Sequence, residues 1–145
     1  MRISDRGLEI IKEFEGFRAR AYMCPAGVWT IGYGHTRGVK AGDVVNEQQA
    51  TELLRNDAKE AEEVVTDLVK VELSQWQFDA LVSLVYNIGS GNFYNSTIRR
   101  LVNEGCDDED RLRYAWCMWK RAGGRTLSGL IRRREKEFKL FTNKL

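Results

Sequence analysis

The sequence predicts a mainly helical α+β chain, in which a small β-hairpin unit precedes a larger helical part. Three observations predict it. Residues 20–33 read as two short strands around a turn, residues 47–71 carry an amphipathic helical pattern, and residues 75–88 are apolar on most sides. A chain of 145 residues, 43% hydrophobic and 30% charged, suits a single compact domain with enough core to fold without staples.

Ser4 or Asp5 can cap a first helix in which Leu8, Ile11 and Phe14 recur at helical spacing. Gly16 closes it and leaves Glu15 in the last turn, at the negative end of the helix dipole. An exposed carboxylate there costs ~0.3–1 kcal/mol, which a neighbouring cation offsets. A plain solvated glutamate and a functional one are both open at this point. Next, Cys24-Pro25-Ala26-Gly27 reads as a turn, with proline at its second position and glycine at its fourth. The flanking runs Arg20–Met23 and Val28–Ile31 are rich in strand formers. Alternation puts Val28 and Thr30 on one face and Trp29, Ile31 and Tyr33 on the other. Trp29 therefore reads as a packing residue when Thr30 faces a binding cleft. Gly38 to Asp43 is a polar connection.

Asn46 caps a long helix running from Glu47 to about Val71, with Ala50, Leu53, Leu54, Ala58, Ala61, Val64, Val65 and Leu68 as its apolar stripe. About 24 residues give a length of ~36 Å. Its acidic residues Glu52, Asp57, Glu60, Glu62, Glu63 and Asp67 read as a solvated face. Ser74 caps the apolar helix 75–88, which stops at Gly89 and reads as the buried centre of the helical part. A short helix follows from Ser96 to about Glu104. Asp108 or Asp110 starts another, with Tyr114, Trp116 and Trp119 as core aromatics and Gly123-Gly124 as its end. The last helix begins near Ser128. Its Arg132, Arg133 and Arg134 cannot share one face, because neighbours differ by ~100°, so at least one turns toward the protein or the cleft.

Residues 1–96 hold 10 Lys and Arg against 14 Asp and Glu, whereas residues 97–145 hold 13 against 7. The basic C-terminal part suits an anionic polymer, either nucleic acid or bacterial wall. No run approaches the ~20 apolar residues of a membrane span, and the first residues lack the apolar core of a signal peptide. One histidine and three scattered cysteines make a metal site improbable and leave reduced thiols as the default.

One constellation is more specific than its parts. Glu15, eight residues, Cys24, five residues, Thr30, then Ile31-Gly32-Tyr33-Gly34-His35-Thr36 resembles the phage-type lysozymes, the endolysins of glycoside hydrolase family 24. Aspartate is commoner in that family where Cys24 stands here. The resemblance continues through Phe78-Asp79-Ala80-Leu81 to Tyr86-Asn87-Ile88-Gly89, and through Gly129-Leu130 to Arg133-Arg134. It implies a lysozyme-like two-lobe fold: a β lobe at about 14–46, a linking helix at about 47–71, and a helical lobe at about 72–145 plus the N-terminal helix. It also implies hydrolysis, with inversion, of the β-1,4 bond between N-acetylmuramic acid and N-acetylglucosamine. Glu15 would then be the general acid, in a site partly desolvated to keep it protonated. Thr30 would hold the water, and Cys24 as thiolate would act as base or electrostatic partner. At an ordinary pKa of about 8.5 a thiol is only slightly ionised near neutrality, so Cys24 needs help from its surroundings. Thr36, Tyr86, Asn87 and Thr97 would bind substrate. The partner implied is bacterial peptidoglycan, with no nucleic acid, no cofactor, no metal and no stable membrane association. Such an enzyme would be a monomer, held in the host bacterial cytoplasm until release to the wall.

Three other readings remain open on the residues alone. The same bond could be cleaved by lytic transglycosylation. A peptidase with Cys24 as nucleophile and His35 as base would leave Glu15 and Thr30 without roles, and Cys24 precedes proline in a turn instead of sitting at an activating helix N-terminus. A non-enzymatic binding module would use the arginines at 132–134.

Overall fold

The computed structural model describes residues 1–145 as seven helices and two short antiparallel hairpins. Helix α1 (Asp5–Glu15) starts at Ser4, whose side chain accepts from the Gly7 N–H, and ends where the Gly16 N–H donates to the Lys12 carbonyl. Its N-terminus is anchored by two buried carboxylates. Asp79 takes the Ser4 N–H at 2.9 Å and also its hydroxyl, while Glu62 takes the Ile3 N–H at 2.6 Å. Glu62 is thus no part of the solvated face expected for the long helix. It caps the start of α1 in place of water.

Strands β1 (Arg18–Met23) and β2 (Trp29–Gly32) form the expected hairpin, with Tyr22 opposite Thr30 and Met23 opposite Trp29. The Cys24 carbonyl accepts from the Gly27 N–H at 2.8 Å, and the Cys24 N–H donates to the Val28 carbonyl at 3.0 Å. These two bonds fix the turn at 24–27. The register shifts between Arg18 and Tyr22, and the freed β1 edge bonds to residues 43–45 instead. Trp29 is half-buried but is not part of the main core.

Helix α2 (Glu47–Leu68) carries a full capping box at Asn46 and Gln49. It stops at Leu68, short of Val71, because α5 takes over its end. The Leu68 carbonyl accepts from Asn103 Nδ2 at 2.9 Å and from Arg99 Nε at 3.2 Å, and the Lys70 N–H donates to Asn103 Oδ1 at 2.7 Å. Helix α3 (Gln75–Ile88) is buried from Phe78 through Val85 and forms the centre of the helical part. Around it lie α4 (Ser90–Tyr94), which the sequence reading missed, α5 (Thr97–Asn103), α6 (Glu109–Cys117) and α7 (Ser128–Phe141). One core of 27 buried residues joins α1, α2, α3 and the later helices. Burying each large aliphatic or aromatic side chain in it stabilises the fold by roughly 1.5–3 kcal/mol.

Two details around α6 depart from expectation. The helix ends at Cys117, and Gly123-Gly124 instead form the tip between β3 (Arg121–Ala122) and β4 (Arg125–Thr126). Both glycines have positive φ, 58° and 76°, as a two-residue hairpin loop of the type I′ kind requires. Tyr114 is 76% exposed, whereas Trp116 is fully buried against Phe138 and Phe141. Residues two apart on a helix point about 200° away from each other, so both cannot face the core. No helix is long and apolar enough to cross a membrane.

The three cysteines are free thiols. Burial pushes the Cys117 thiol up to about 11, helped by its hydrogen bond to Glu135 and by that carboxylate's charge. Above the ordinary thiol value of about 8.5, the unfolded chain loses this proton while the folded chain keeps it. Stability therefore falls as pH rises between the two values. Cys117→Ala should flatten the fall in melting temperature between roughly pH 8 and 11. An undiminished fall in that variant would show that other groups set the alkaline limit.

Candidate active site

Helix α1 delivers Glu15 to the point where three segments meet. The Gly32-Tyr33-Gly34-His35 segment turns back on itself, with Ile31 and His35 exchanging both backbone hydrogen bonds at 2.9 Å. That turn lays Gly34 against the carboxylate. A Cβ at Gly34 would stand 3.2 Å from Glu15 Oε1, and φ there is +87°, so the close approach and the backbone both call for glycine. The other oxygen, Oε2, accepts from Arg133 Nη1 at 2.9 Å across 118 residues of sequence. Arg133 is the cation that offsets the unfavourable dipole position. Glu15 remains 25% exposed, so the site is partly desolvated but ion-paired as well.

Arg133 is itself held at every nitrogen. Its Nε donates to Glu137 Oε2 at 3.2 Å and its Nη2 to the Ser83 carbonyl at 3.2 Å. Arg134 is fully buried, with Nη2 donating to Glu137 and Nη1 to the Trp119 carbonyl. Its Nε lies 2.8 Å from Glu137 Oε1 but is not aligned for a hydrogen bond, so that contact is charge against charge. Burial holds the Arg134 guanidinium below its ordinary value, with Glu137 working the other way. Only Arg132 of the three arginines is exposed.

Cys24 sits half-buried at the hairpin turn. Its thiol is lowered from the ordinary value chiefly by the Val28 backbone N–H. Residual burial opposes this, and the Ala26 N–H, the Thr30 hydroxyl and its own N–H add to it. The help that the sequence called for thus comes from the turn itself. Thr30 is buried, and its hydroxyl donates its one proton to the Val28 carbonyl, with Oγ1 at 3.0 Å, when that proton is not given to the thiolate. Its lone pairs stay free to accept from a third group.

His35 is engaged at both ring nitrogens. Nδ1 lies 2.8 Å from Asp57 Oδ2 and Nε2 lies 2.9 Å from the Arg37 carbonyl. Asp57 is therefore another residue of the presumed solvated face that has a partner. A groove of about 470 Å³ opens beside this pair, lined by Gly34, Thr36, Asp57, Glu60 and Tyr86 among others. The Tyr86 hydroxyl is pushed well above its usual value by burial first and then by the charges of Glu15 and Asp57. Thr36 and Tyr86 thus share one groove next to Glu15, and Asn87 is exposed beside Tyr86. Thr97 does not join them; it lines a separate groove with Tyr94, Arg100 and Asn103. Arg133 and Gly34 were not singled out for the site. The arginine run did point to an inward-facing member, and its heavy spacing from Glu15 hid the pair.

Comparison with known proteins gives the family of the chain. The family model described as phage lysozyme matches residues 12–137. An endolysin of Acyrthosiphon pisum secondary endosymbiont phage 1 is 43% identical, over 97% of this chain and 98% of its own. An endolysin of Bacillus phage B103 is 40% identical over 97% of this chain, which spans only 54% of that longer protein. Among solved structures, the muramidase domain of SpmX from Asticaccaulis excentricus superposes with a TM-score of 0.88 at 43% identity, covering 97% of each chain. The chain belongs to the phage lysozyme family.

Proposed function

We propose that this chain is an endolysin muramidase that hydrolyses the β-1,4 bond between N-acetylmuramic acid and N-acetylglucosamine in bacterial peptidoglycan. The observation that carries the reading is the Glu15 carboxylate, held at the end of α1 between Arg133 and Gly34, which itself lines the groove shared by Thr36 and Tyr86. Glu15 protonates the glycosidic oxygen. A water on the opposite face of the sugar gives one hydrogen to the Cys24 thiolate and directs the other at the Thr30 hydroxyl oxygen, so the anomeric centre inverts. Thr36, Tyr86 and Asn87 line the glycan path, and Thr97 serves a more distant part of the strand. The enzyme works as a monomer and meets the wall on release from the host cytoplasm.

Two rivals lose support. A Cys24/His35 peptidase needs a free imidazole nitrogen, and both nitrogens of His35 face Asp57 and Arg37. A polyanion-binding module built on the arginine run needs those arginines at the surface, and two of the three are buried.

The test is a mass spectrum of fragments released from purified wall. New reducing sugar ends are expected; anhydro ends would mean transglycosylation, and new peptide termini would mean a peptidase. The role of Cys24 is read from pH. Activity that needs the thiolate rises with pH through the lowered thiol value, so Cys24→Asp should shift the acidic limb down toward the ordinary carboxylate range near 4. Cys24→Ser, which stays neutral, should lose roughly 10²-fold at all pH values. An unmoved acidic limb in Cys24→Asp would remove Cys24 from the base role.

A further inference from the structure

Glu137 is the most completely satisfied charged group in the protein, and nothing in the reaction as described uses it. It is fully buried on α7. Its Oε2 accepts from Arg133 Nε at 3.2 Å, Arg134 Nη2 at 3.2 Å and Ser83 Oγ at 2.5 Å, and its Oε1 accepts from Trp116 Nε1 at 3.1 Å. Donors from α3, α6 and α7 therefore converge on one carboxylate. If its purpose were only to neutralise buried arginines, one cation would be enough; here two arginines share it. The second carboxylate within reach of the pair is Glu15, against Arg133.

We infer that Glu137 is a positioning residue for catalysis, which acts through Arg133 to fix the orientation of the Glu15 carboxyl. The argument is geometric. A guanidinium is planar, so two of its edges being pinned fixes the direction of the third. Arg133 is pinned by Glu137 at Nε and by the Ser83 carbonyl at Nη2, and the remaining Nη1 then meets Glu15 Oε2. Ser83 holds both ends of this arrangement, donating to Glu137 through its hydroxyl and accepting from Arg133 through its carbonyl. With Oε2 so occupied, the acidic proton is directed to Oε1, the oxygen on the Gly34 side where the groove opens. A general acid must hold its proton on the oxygen that faces the leaving group, and a misplacement of about 1 Å can cost about 10²-fold.

This inference rests on Glu15 being the general acid, and the experiment separates the two. Kinetics on soluble glycan chains are measured for Glu15→Gln, Glu137→Gln, Arg133→Lys and the Arg133→Lys/Glu137→Gln double variant, each corrected for the folded fraction. Glu137→Gln should lower kcat at least ~10-fold with KM within about twofold, because orientation matters in the transition state and not in binding. In the Arg133→Lys background the same change should alter kcat by less than about twofold, since the path runs through that guanidinium. A purely structural residue would lower the folded fraction and leave kcat of the folded enzyme alone. Full kcat in folded Glu137→Gln, or additive losses in the double variant, overturns the inference while leaving the acid assignment standing. Retained activity in Glu15→Gln overturns both. Should Glu137→Gln not fold, Ser83→Ala removes one neutral donor from the same carboxylate, and it should lower kcat about threefold with KM unchanged; an unchanged kcat there overturns the inference equally.

Discussion

Glu15→Gln should lower wall clearance by at least roughly 10²–10⁴-fold while the protein stays folded. The amide is close to isosteric with the acid and its oxygen can still accept from Arg133, so the contact seen at 2.9 Å survives in outline. Arg133 also keeps its bonds to Glu137 and the Ser83 carbonyl, so no buried donor is stranded. What the amide lacks is a proton acidic enough to give to a departing sugar oxygen. The expected result is a near-parental urea midpoint with clearance at the detection limit. Clearance close to that of the parent would remove Glu15 as the acid.

Arg134→Met should destabilise the fold by about 3 kcal/mol or more, the cost of breaking a buried pair from one side. Methionine fills much of the same volume, but it leaves Glu137 with one cation instead of two and the Trp119 carbonyl without its donor. The same substitution at exposed Arg132 should stay within about 0.5 kcal/mol. Urea unfolding of the two variants side by side checks this, with the slope as a control for a changed unfolded state. Equal midpoints for the two variants would contradict the buried charge array.

The hairpin turn, the caps at Ser4, Asn46 and Ser74, and the buried α3 were legible because each depends on residues close in sequence. The spacing of Glu15, Cys24 and Thr30 carried the family. The charged residues were harder to place. Glu137 stands three and four positions after Arg134 and Arg133, the spacing of an ordinary surface ion pair. Its burial is decided by Ser83 and Trp116, which come from two other helices. Glu62 and Asp57 likewise read as solvated until the start of α1 and His35 are laid against them. At Gly123-Gly124 the sequence held two local signals, helix stop and hairpin tip, and the backbone pairing beyond it selected the second.

The ion pair that joins Glu15 to Arg133 also sets a clock on synthesis. The two residues are 118 positions apart, so at 5–20 residues per second the ribosome adds the arginine roughly 6–24 s after the glutamate. During that interval the nascent chain carries Glu15 without the groups that hold it, since α7 supplies Arg133 and Glu137 together. A partly made or C-terminally clipped chain therefore lacks the contact between Arg133 and Glu15. That contact forms only once the last helix is in place.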